Sequence, residues 1–232
     1  DCDHRPEAQV LGSAIGMKVM EDVPYIKGLD RWLGRELTAD AEDYLKDMGA
    51  ASASNGAVGL YHVDGLTPEA REKGAGLIAP DARTYRIDDA ELERVRASYP
   101  VMWKKPDARP KLAFIGCPHL SSAQLAHWAN AICEGLAAAG HRRVQVPTVL
   151  TAAPAVAAAF RETDAYARLA ATGAVVSSIC PLMYTNNPLC GGMPIVTNSN
   201  KLRTYSTARY CTDHELLACV ATGSLAQKGG DR

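Results

Sequence analysis

The chain has 232 residues, of which 47% are hydrophobic and 22% charged, and its formal net charge is −1. This length allows one large domain or two small ones, and the near-neutral charge gives no indication of binding to nucleic acid or to a membrane surface. No apolar run approaches the roughly 18 residues that span a bilayer, and no signal peptide is apparent.

Seven cysteines are spread along the chain, and this odd number argues against a secreted disulfide scaffold. We therefore expect reduced thiols and a cytoplasmic location. Cys133 and Cys219 lie in alanine- and leucine-rich stretches, where we expect them to be buried as small hydrophobic residues. Because the sequence begins at Asp1 rather than Met, we expect a processed N-terminus or an internal fragment.

The first part of the chain, residues 1–106, is predicted to be an α/β segment of α-rich character. A helix is predicted to start within 10–19 and to end before Val23-Pro24, and a second is predicted over 38–48 with Thr38 as its N-cap. The alternating pattern of 58–63 predicts a strand that leads into a turn. Residues 84–96 predict a short strand followed by a capped helix.

The polar, proline-bearing stretch 103–110 predicts a linker, and 111–226 beyond it is predicted to be a βαβ domain. Alternation of strands and helices of this length indicates right-handed crossovers and a parallel sheet covered on both faces. The tail 227–232 is expected to be disordered. The strands are predicted at 111–116, 143–146, 174–179 and 194–197, with helices over 122–139, 153–172, from 199 onward and over 213–222.

Two Cys-Pro dipeptides stand directly after two of these predicted strands, Cys117-Pro118 after 111–116 and Cys180-Pro181 after 174–179. A proline cannot continue the hydrogen-bonded ladder, so each thiol is expected where its strand leaves the sheet. Ligands bind at that edge of open α/β sheets. If the two strands are near neighbours, both thiols can reach one centre. The pair therefore predicts two ligands of an iron–sulfur or zinc centre, the alternative for each being a small buried residue at a strand end.

Other nearby residues leave the choice of metal open. Cys117, His119, Cys180 and Cys190 could form a mixed zinc site, although the close cysteine pairs typical of structural zinc are missing. Cys190 lies in a glycine-containing loop and is interpreted as a loop cysteine. His119 is interpreted either as an acid–base group or as a loop residue that hydrogen-bonds the backbone.

The stretch Thr197-Asn198-Ser199-Asn200-Lys201 follows the fourth predicted strand and opens a helix. Backbone N–H groups at a helix start, with hydroxyls and a lysine, suit a carboxylate or a phosphate. The alternative is an ordinary N-cap with solvated neighbours. His62, near another strand end with Asp64 and Glu69, is explained either by a structural turn or by contact with a substrate.

Several common catalytic motifs are missing from the sequence. It contains no G-x-G-x-x-G after a strand, no Walker A motif, no G-x-S-x-G and no H-E-x-x-H. Dinucleotide oxidoreductase, P-loop and serine-hydrolase functions therefore have no support.

Taken together, three motifs resemble the catalytic large subunit of the aconitase X family: Gly116–Ser121 (GCPHLS), Ile179–Tyr184 (ICPLMY) and Pro194–Lys201 (PIVTNSNK). Leu11–Val19 and Val58–Ala70 are similar to further segments of the family. The resemblance runs over nearly the whole chain in the expected order, and it covers only the C-terminal part of the family's large subunit.

This resemblance implies an iron–sulfur-dependent hydro-lyase of the aconitase superfamily, built of parallel-sheet βαβ layers, that dehydrates a small hydroxy acid. The expected substrate is cis-3-hydroxy-L-proline, and mevalonate 5-phosphate is the alternative. Cys117 and Cys180 match cysteines that hold a two- or four-iron cluster. The remaining expected site residues are His119 and Ser121 as catalytic groups, and Thr197, Asn198, Ser199, Lys201 and His62 as substrate contacts.

The resemblance also implies that the chain is incomplete as an enzyme. The family's third cysteine, expected in an upstream segment, and the small swivelling domain that supplies a serine base are not in this sequence. We therefore expect either partner chains that supply them or a sequence that is a fragment, with Cys190 or Cys2 as the alternative third ligand. A non-catalytic α/β subunit stabilised by zinc is a further alternative.

Overall fold

The computed structural model describes residues 2–225, which divide between Tyr99 and Pro100 into two compact units. The stretch 103–110, predicted as a linker, belongs to the second unit. The tail 227–232, expected to be disordered, lies outside the described residues. No helix in the described part is both long and apolar enough to cross a bilayer.

The first unit is mainly helical, as the sequence predicts, with a pair of short parallel strands. In the pair, Tyr25 lies opposite His62. The predicted helix over 38–48 is present with Thr38 as its cap, but it continues past Gly49 to Asn55. The elements are α1 (Ala8–Val19), β1 (Tyr25–Ile26), α2 (Asp30–Leu33), α3 (Ala39–Asn55), β2 (His62–Val63), α4 (Pro68–Lys73), a 3₁₀ turn (Gly74–Leu77) and α5 (Asp89–Ala97).

Helices α1 and α3 pack with their backbones in close approach. A Cβ atom added at Gly12 would lie 2.1 Å from the carbonyl oxygen of Met48, and one added at Gly16 would lie 2.5 Å from that of Ser52. Larger side chains would separate the helices, so these glycines permit the buried apolar contact between them. The core of this unit includes Ile15 and Met48.

Two predicted strands of the first unit are wrong in extent or absent. Of residues 58–63 only His62 and Val63 pair, because β1 offers them a partner of two residues. Residues 84–88 form no strand, although the capped helix predicted after them is present as α5, with the carboxylate of Asp88 accepting from the N–H of Glu91.

The second unit is a five-stranded parallel sheet in the order β5-β4-β3-β6-β7, which confirms the predicted α/β class with a parallel sheet. Its strands are β3 (Leu112–Leu120), β4 (Thr148–Ala152), β5 (Val175–Ser177), β6 (Ile195–Thr197) and β7 (Arg209–Tyr210). Its helices are α6 (Ser122–Ala138), α7 (Pro154–Arg161), α8 (Asp164–Ala171), α9 (Pro181–Thr185), α10 (Asn200–Thr204) and α11 (Asp213–Thr222).

Strand β3 is central and buried on both faces. Ile115 packs into a cluster with Leu125 and Ile132 of α6. Phe114, its neighbour in the chain, packs into a separate cluster that contains Leu202 of α10. Because successive residues of a strand point to opposite faces, these two clusters are the two covered faces of the sheet.

Two of the predicted elements of the second unit, the strand at 143–146 and the single helix over 153–172, are wrong. Residues 143–146 are not a strand, because the N–H groups of Val144 and Gln145 donate to Thr172 and Val220 and not to a neighbouring strand; the strand lies at 148–152 instead. The single helix predicted over 153–172 is two helices, α7 and α8, because the side chain of Thr163 caps a new start.

Candidate functional site

The carboxyl ends of all five parallel strands of the second unit meet at one edge of the sheet. Cys117, Cys180 and the stretch 197–201 lie toward this edge, but Cys117 stands within its strand and not after it. The first two belong to β3 and the segment after β5, and the third joins β6 to α10. The parallel topology therefore collects the three motifs of the second unit at one edge of its sheet.

Strand β3 does not end before Cys117, contrary to prediction. It runs to Leu120, and its regular pairing with β4 is interrupted after Ile115 and resumes at Leu120, opposite Ala152. The residues 116–119 therefore form a bulge opposite the single residue Thr151. A proline removes one donor from the ladder but does not prevent the strand from continuing beyond the bulge.

The backbone before Cys117 touches the neighbouring strand. Gly116 has φ +101°, and a Cβ atom there would lie 2.5 Å from the main-chain oxygen of Thr151. The hydroxyl of Thr151 also donates a hydrogen bond to the carbonyl oxygen of Gly116. Cys117 itself is buried and packs in the cluster that contains Phe114 and Ile195.

Cys180 occupies a different environment. It is exposed and is the N-cap residue of α9, three residues after the end of β5. Strand β4 lies between β5 and β3, so the expected close neighbourhood of the two strands is not found, and their axes are separated by two strand spacings, about 10 Å.

The two thiols fit an iron–sulfur cluster by donor chemistry, because thiolates are its usual ligands. Within residues 2–225, however, no three His, Cys, Asp or Glu side chains are grouped so as to hold a metal ion. The mixed site of Cys117, His119, Cys180 and Cys190 is thus not assembled in this part of the chain. Cys117 and Cys180 are therefore at most a partial ligand set.

Three other cysteines have the character of structural residues. Burial raises the pKa of the Cys219 thiol to about 11 and that of the Cys211 thiol to about 12, so both stay protonated and unreactive at neutral pH. The predicted burial of Cys219 is confirmed. Cys133 is only half-buried, on α6.

Ser121 and His119 follow Cys117 on the same segment. Ser121 is the N-cap of α6, where its hydroxyl oxygen accepts from the N–H of Gln124 at 3.1 Å and the Gln124 side chain accepts in return from the Ser121 N–H. This capping box confirms the predicted helix start. His119 is half-buried near the end of β3.

The stretch 197–201 forms a tight turn at the end of β6. The side-chain oxygen of Thr197 accepts from the N–H of Ser199, and that of Ser199 accepts from the N–H of Leu202 as the N-cap of α10. Thr197 and Ser199 are buried, whereas Asn198 is half-buried and Lys201 exposed. Asn198 and Lys201 are therefore the side chains of this turn that reach toward solvent.

Asp213 was not predicted as part of this region, yet it contacts Asn198. The amide nitrogen of Asn198 donates to a carboxylate oxygen of Asp213 at 2.8 Å. Asp213 keeps solvent-exposed surface, but surrounding protein atoms partly desolvate its carboxylate, and this desolvation raises its pKa. The hydrogen bond from Asn198 and the charge of His127 act in the opposite direction and are smaller effects. The only sequence signal for Asp213 is the pattern Thr212-x-x-Glu215, a capping box that starts α11 there.

His62, the remaining predicted residue, belongs to the first unit. It is buried at the start of β2, and its Nδ1 atom lies 3.9 Å from a carboxylate oxygen of Glu69. Within the described residues no hydrogen-bond partner is found for that nitrogen. Nearby, the hydroxyl of Tyr25 donates to the carboxylate of Asp64.

Comparisons with known proteins match both units. Residues 2–97 match the family model "Aconitase X second domain" and 110–221 match "Aconitase X third domain". The phosphomevalonate dehydratase large subunit of Thermococcus kodakarensis is 32% identical over 200 residues, covering 84% of this chain and 45% of that protein.

Two further proteins are similar over most of the chain. The cis-3-hydroxy-L-proline dehydratase of Pseudomonas aeruginosa is 32% identical over 201 residues, covering 84% of this chain and 32% of that protein. The crystal structure of the holo-form of aconitase X from Thermococcus kodakaraensis superposes with a TM-score of 0.70 at 28% identity, covering 91% of this chain and 50% of that one. The chain thus spans half or less of the length of these relatives.

Proposed function

This chain belongs to the aconitase X family, and we propose that it forms part of an iron–sulfur-dependent dehydratase that acts on a small hydroxy acid. The observation that carries the proposal is that Cys117, in the bulge of β3, and Cys180, in the segment after β5, lie at the edge of one parallel sheet where such folds bind ligands. Relatives named as dehydratases, similar over 84% of the chain, support the same reaction.

In this proposal Cys117 and Cys180 hold the cluster, with further thiolate from outside residues 2–225. When bound, the cluster would supply an iron with an open coordination position that polarises the carboxylate and the leaving hydroxyl of the substrate. Cys117 is suited to the role because its backbone is fixed in the bulge beside Thr151.

His119 and Ser121 are the proposed catalytic groups of this chain. His119 follows Cys117 by two residues, and an imidazole there can donate a proton to the hydroxyl that leaves. Ser121 follows His119 by two residues and caps the start of α6, and a hydroxyl at that position can donate a hydrogen bond to a substrate.

Thr197, Asn198, Ser199 and Lys201, together with His62, are the proposed substrate contacts. The exposed ammonium of Lys201 suits a carboxylate. Because Asn198 donates to Asp213, its amide oxygen is left to accept a hydrogen bond from a substrate. Thr197 and Ser199 act by shaping the turn that presents these two side chains.

The substrate we propose is cis-3-hydroxy-L-proline. The carboxylate of Asp213 beside Asn198 suits the ring ammonium of this amino acid and disfavours a doubly charged phosphate at the same place. Mevalonate 5-phosphate is the second candidate, since the relative named for phosphomevalonate is as similar, at 32% identity, as the one named for hydroxyproline.

We propose that the enzyme is completed by chains that supply the remaining ligand and the small domain. Support comes from the length covered, 45% of a relative that is itself named a large subunit. A cytoplasmic location is proposed with it, because seven cysteines, an odd number, are spread along an α/β-patterned chain.

Anaerobic purification of the complete enzyme tests the proposal. We expect stoichiometric iron and sulfide with visible absorbance, and loss of both in Cys117→Ser and in Cys180→Ser, because each variant removes one thiolate. Cys190→Ser is the matched control, because it removes a loop thiol that follows α9, the short helix that begins after Cys180. This variant should keep the iron. An iron-free complex that is fully active, or one that holds stoichiometric zinc, contradicts the proposal.

The same preparation decides between the substrates. Both compounds are offered separately, and dehydration is followed directly by product analysis. We expect turnover of cis-3-hydroxy-L-proline. Turnover of mevalonate 5-phosphate alone would retain the dehydratase proposal and replace its substrate.

A further inference from the structure

Thr151 lies on β4 directly opposite the bulge that carries Cys117. Its side chain is completely buried. Its hydroxyl donates a hydrogen bond to the carbonyl oxygen of Gly116 at 2.5 Å, and a longer contact of 3.5 Å joins it to that of Ile115. A side-chain hydroxyl thus donates a hydrogen bond to the main chain at the point where the regular β3–β4 ladder is interrupted.

The interruption explains why such a donor is needed. Pairing of β3 with β4 is regular up to Ile115 and resumes at Leu120, and Gly116 is buried between these two points. Buried main-chain carbonyls are almost always hydrogen-bonded, because an unpaired one keeps its full desolvation cost. The hydroxyl of Thr151 meets this requirement for Gly116.

The hydrogen bond also affects the next residue. The carbonyl of Gly116 and the N–H of Cys117 belong to one planar peptide group. A hydrogen bond to that carbonyl oxygen therefore fixes the orientation of the plane, and with it the position of the Cα atom that carries the Cys117 side chain. On the other side the ring of Pro118 limits the backbone. The absence of a Cβ at Gly116 lets the two strands approach closely enough for this contact.

We propose that Thr151 is a positioning residue for Cys117: its buried hydroxyl fixes the Gly116–Cys117 peptide and so presets where the thiol lies. The part of this inference that treats Cys117 as a cluster ligand rests on the proposed function. The effect on the thiol itself does not depend on any cluster, and it can be measured separately. A preset ligand binds a metal more tightly, because less conformational freedom is lost on binding.

Thr151→Val tests the proposal in the complete enzyme, because valine keeps the shape of the side chain and removes the hydroxyl. In metal-free protein we expect iodoacetamide to alkylate Cys117 about five to ten times faster than in wild type, the effect of losing one hydrogen bond. Peptide mass spectrometry measures this rate, with Cys190 of the same molecule as the internal reference. In iron-loaded protein we expect a chelator to remove iron about tenfold faster.

Thr148→Val is the matched control. Thr148 is also buried on β4, and its hydroxyl donates to the carbonyl oxygen of Val146 at 2.7 Å, away from the bulge. This variant should lose a similar amount of stability without changing the alkylation of Cys117. Thr151→Ser keeps the hydroxyl and should restore the wild-type rate.

Equal rates of Cys117 alkylation in Thr151→Val and Thr148→Val would overturn the proposal. If Thr151→Val does not fold, Thr151→Ala and Thr151→Ser are compared in its place, and equal rates in that pair would overturn it in the same way. Retention of iron by Cys117→Ser would refute the proposed ligand but not the role of Thr151, which the alkylation rates decide alone.

Discussion

At the scale of single residues, the properties of Cys117 depend on neighbours more than on its own side chain. Gly116 before it adopts φ +101° and has no room for a Cβ, while Thr151 across the sheet supplies a hydroxyl. Asn198 depends in the same way on Asp213, whose carboxylate accepts a hydrogen bond from its amide nitrogen. Both contacts join residues that are far apart in the sequence.

Gly116→Ala should destabilise the second unit severely, by about 3 kcal/mol, because the new Cβ would meet the main chain of Thr151 at 2.5 Å and the positive φ is unfavourable for alanine. Gly140→Ala is the control: φ there is +73°, but nothing lies within 4 Å, so only the backbone preference is lost, about 1 kcal/mol. Denaturant unfolding of both variants measures the difference. Equal losses would contradict the close approach.

At the scale of elements, the starts of several helices were the features most readily predicted. Thr38, Ser121 and the start of α11 carry capping residues whose effect is local, and each helix begins where the sequence indicates. Strand ends were predicted less well, because a strand ends where its partner ends. Residues 58–61 alternate like a strand but pair with no strand within residues 2–225, and β3 continues beyond its proline because β4 continues beside it.

Helices α1 and α5 are joined by Glu91, which forms two hydrogen bonds with Arg94 and a 3.3 Å ion pair with Lys18. These contacts, the Arg94 hydrogen bonds first, lower the pKa of Glu91 to about 2. A lowered carboxyl pKa stabilises the folded state above the unfolded pKa, near 4.3, and this contribution is lost as the pH falls toward 2. Glu91→Gln should therefore cost about 1 kcal/mol at pH 7 and progressively less below pH 4.

Chemical denaturation between pH 2.5 and pH 7 measures this dependence. Glu93→Gln on the same helix is the control, because Glu93 pairs with Arg96 at the exposed surface and should matter little. A loss in Glu91→Gln that stays constant over this range would contradict the assignment.

At the scale of the whole molecule, the chain has two units with separate hydrophobic cores. The first is centred on the α1–α3 contact, and the second on the five-stranded sheet and its two helical layers. The three motifs that point to chemistry in the second unit are spread over residues 116–201. They share one edge of the sheet because all its strands run in the same direction.

Met48→Ala and Ile132→Ala should each open the unit to which the residue belongs. Both side chains are fully buried, and each truncation is expected to cost about 3 kcal/mol through lost burial and the cavity left behind. Amide hydrogen exchange should rise most in α1 and α3 for the first variant, and most in α6 and β3 for the second. Equal increases throughout the chain in both variants would contradict separate cores.

The sequence by itself determined the α/β class, the helix starts, the parallel sheet and the candidate thiols, because hydrophobic period, capping residues and proline act over a few neighbouring positions. Only the tertiary structure decided that β4 separates β3 from β5, that Cys117 lies in a bulge held by Thr151, and that Asp213 orients Asn198. These features depend on which distant segments pair. A residue's local pattern shows that it will be buried, but the partner it meets is selected by the packing of the whole unit.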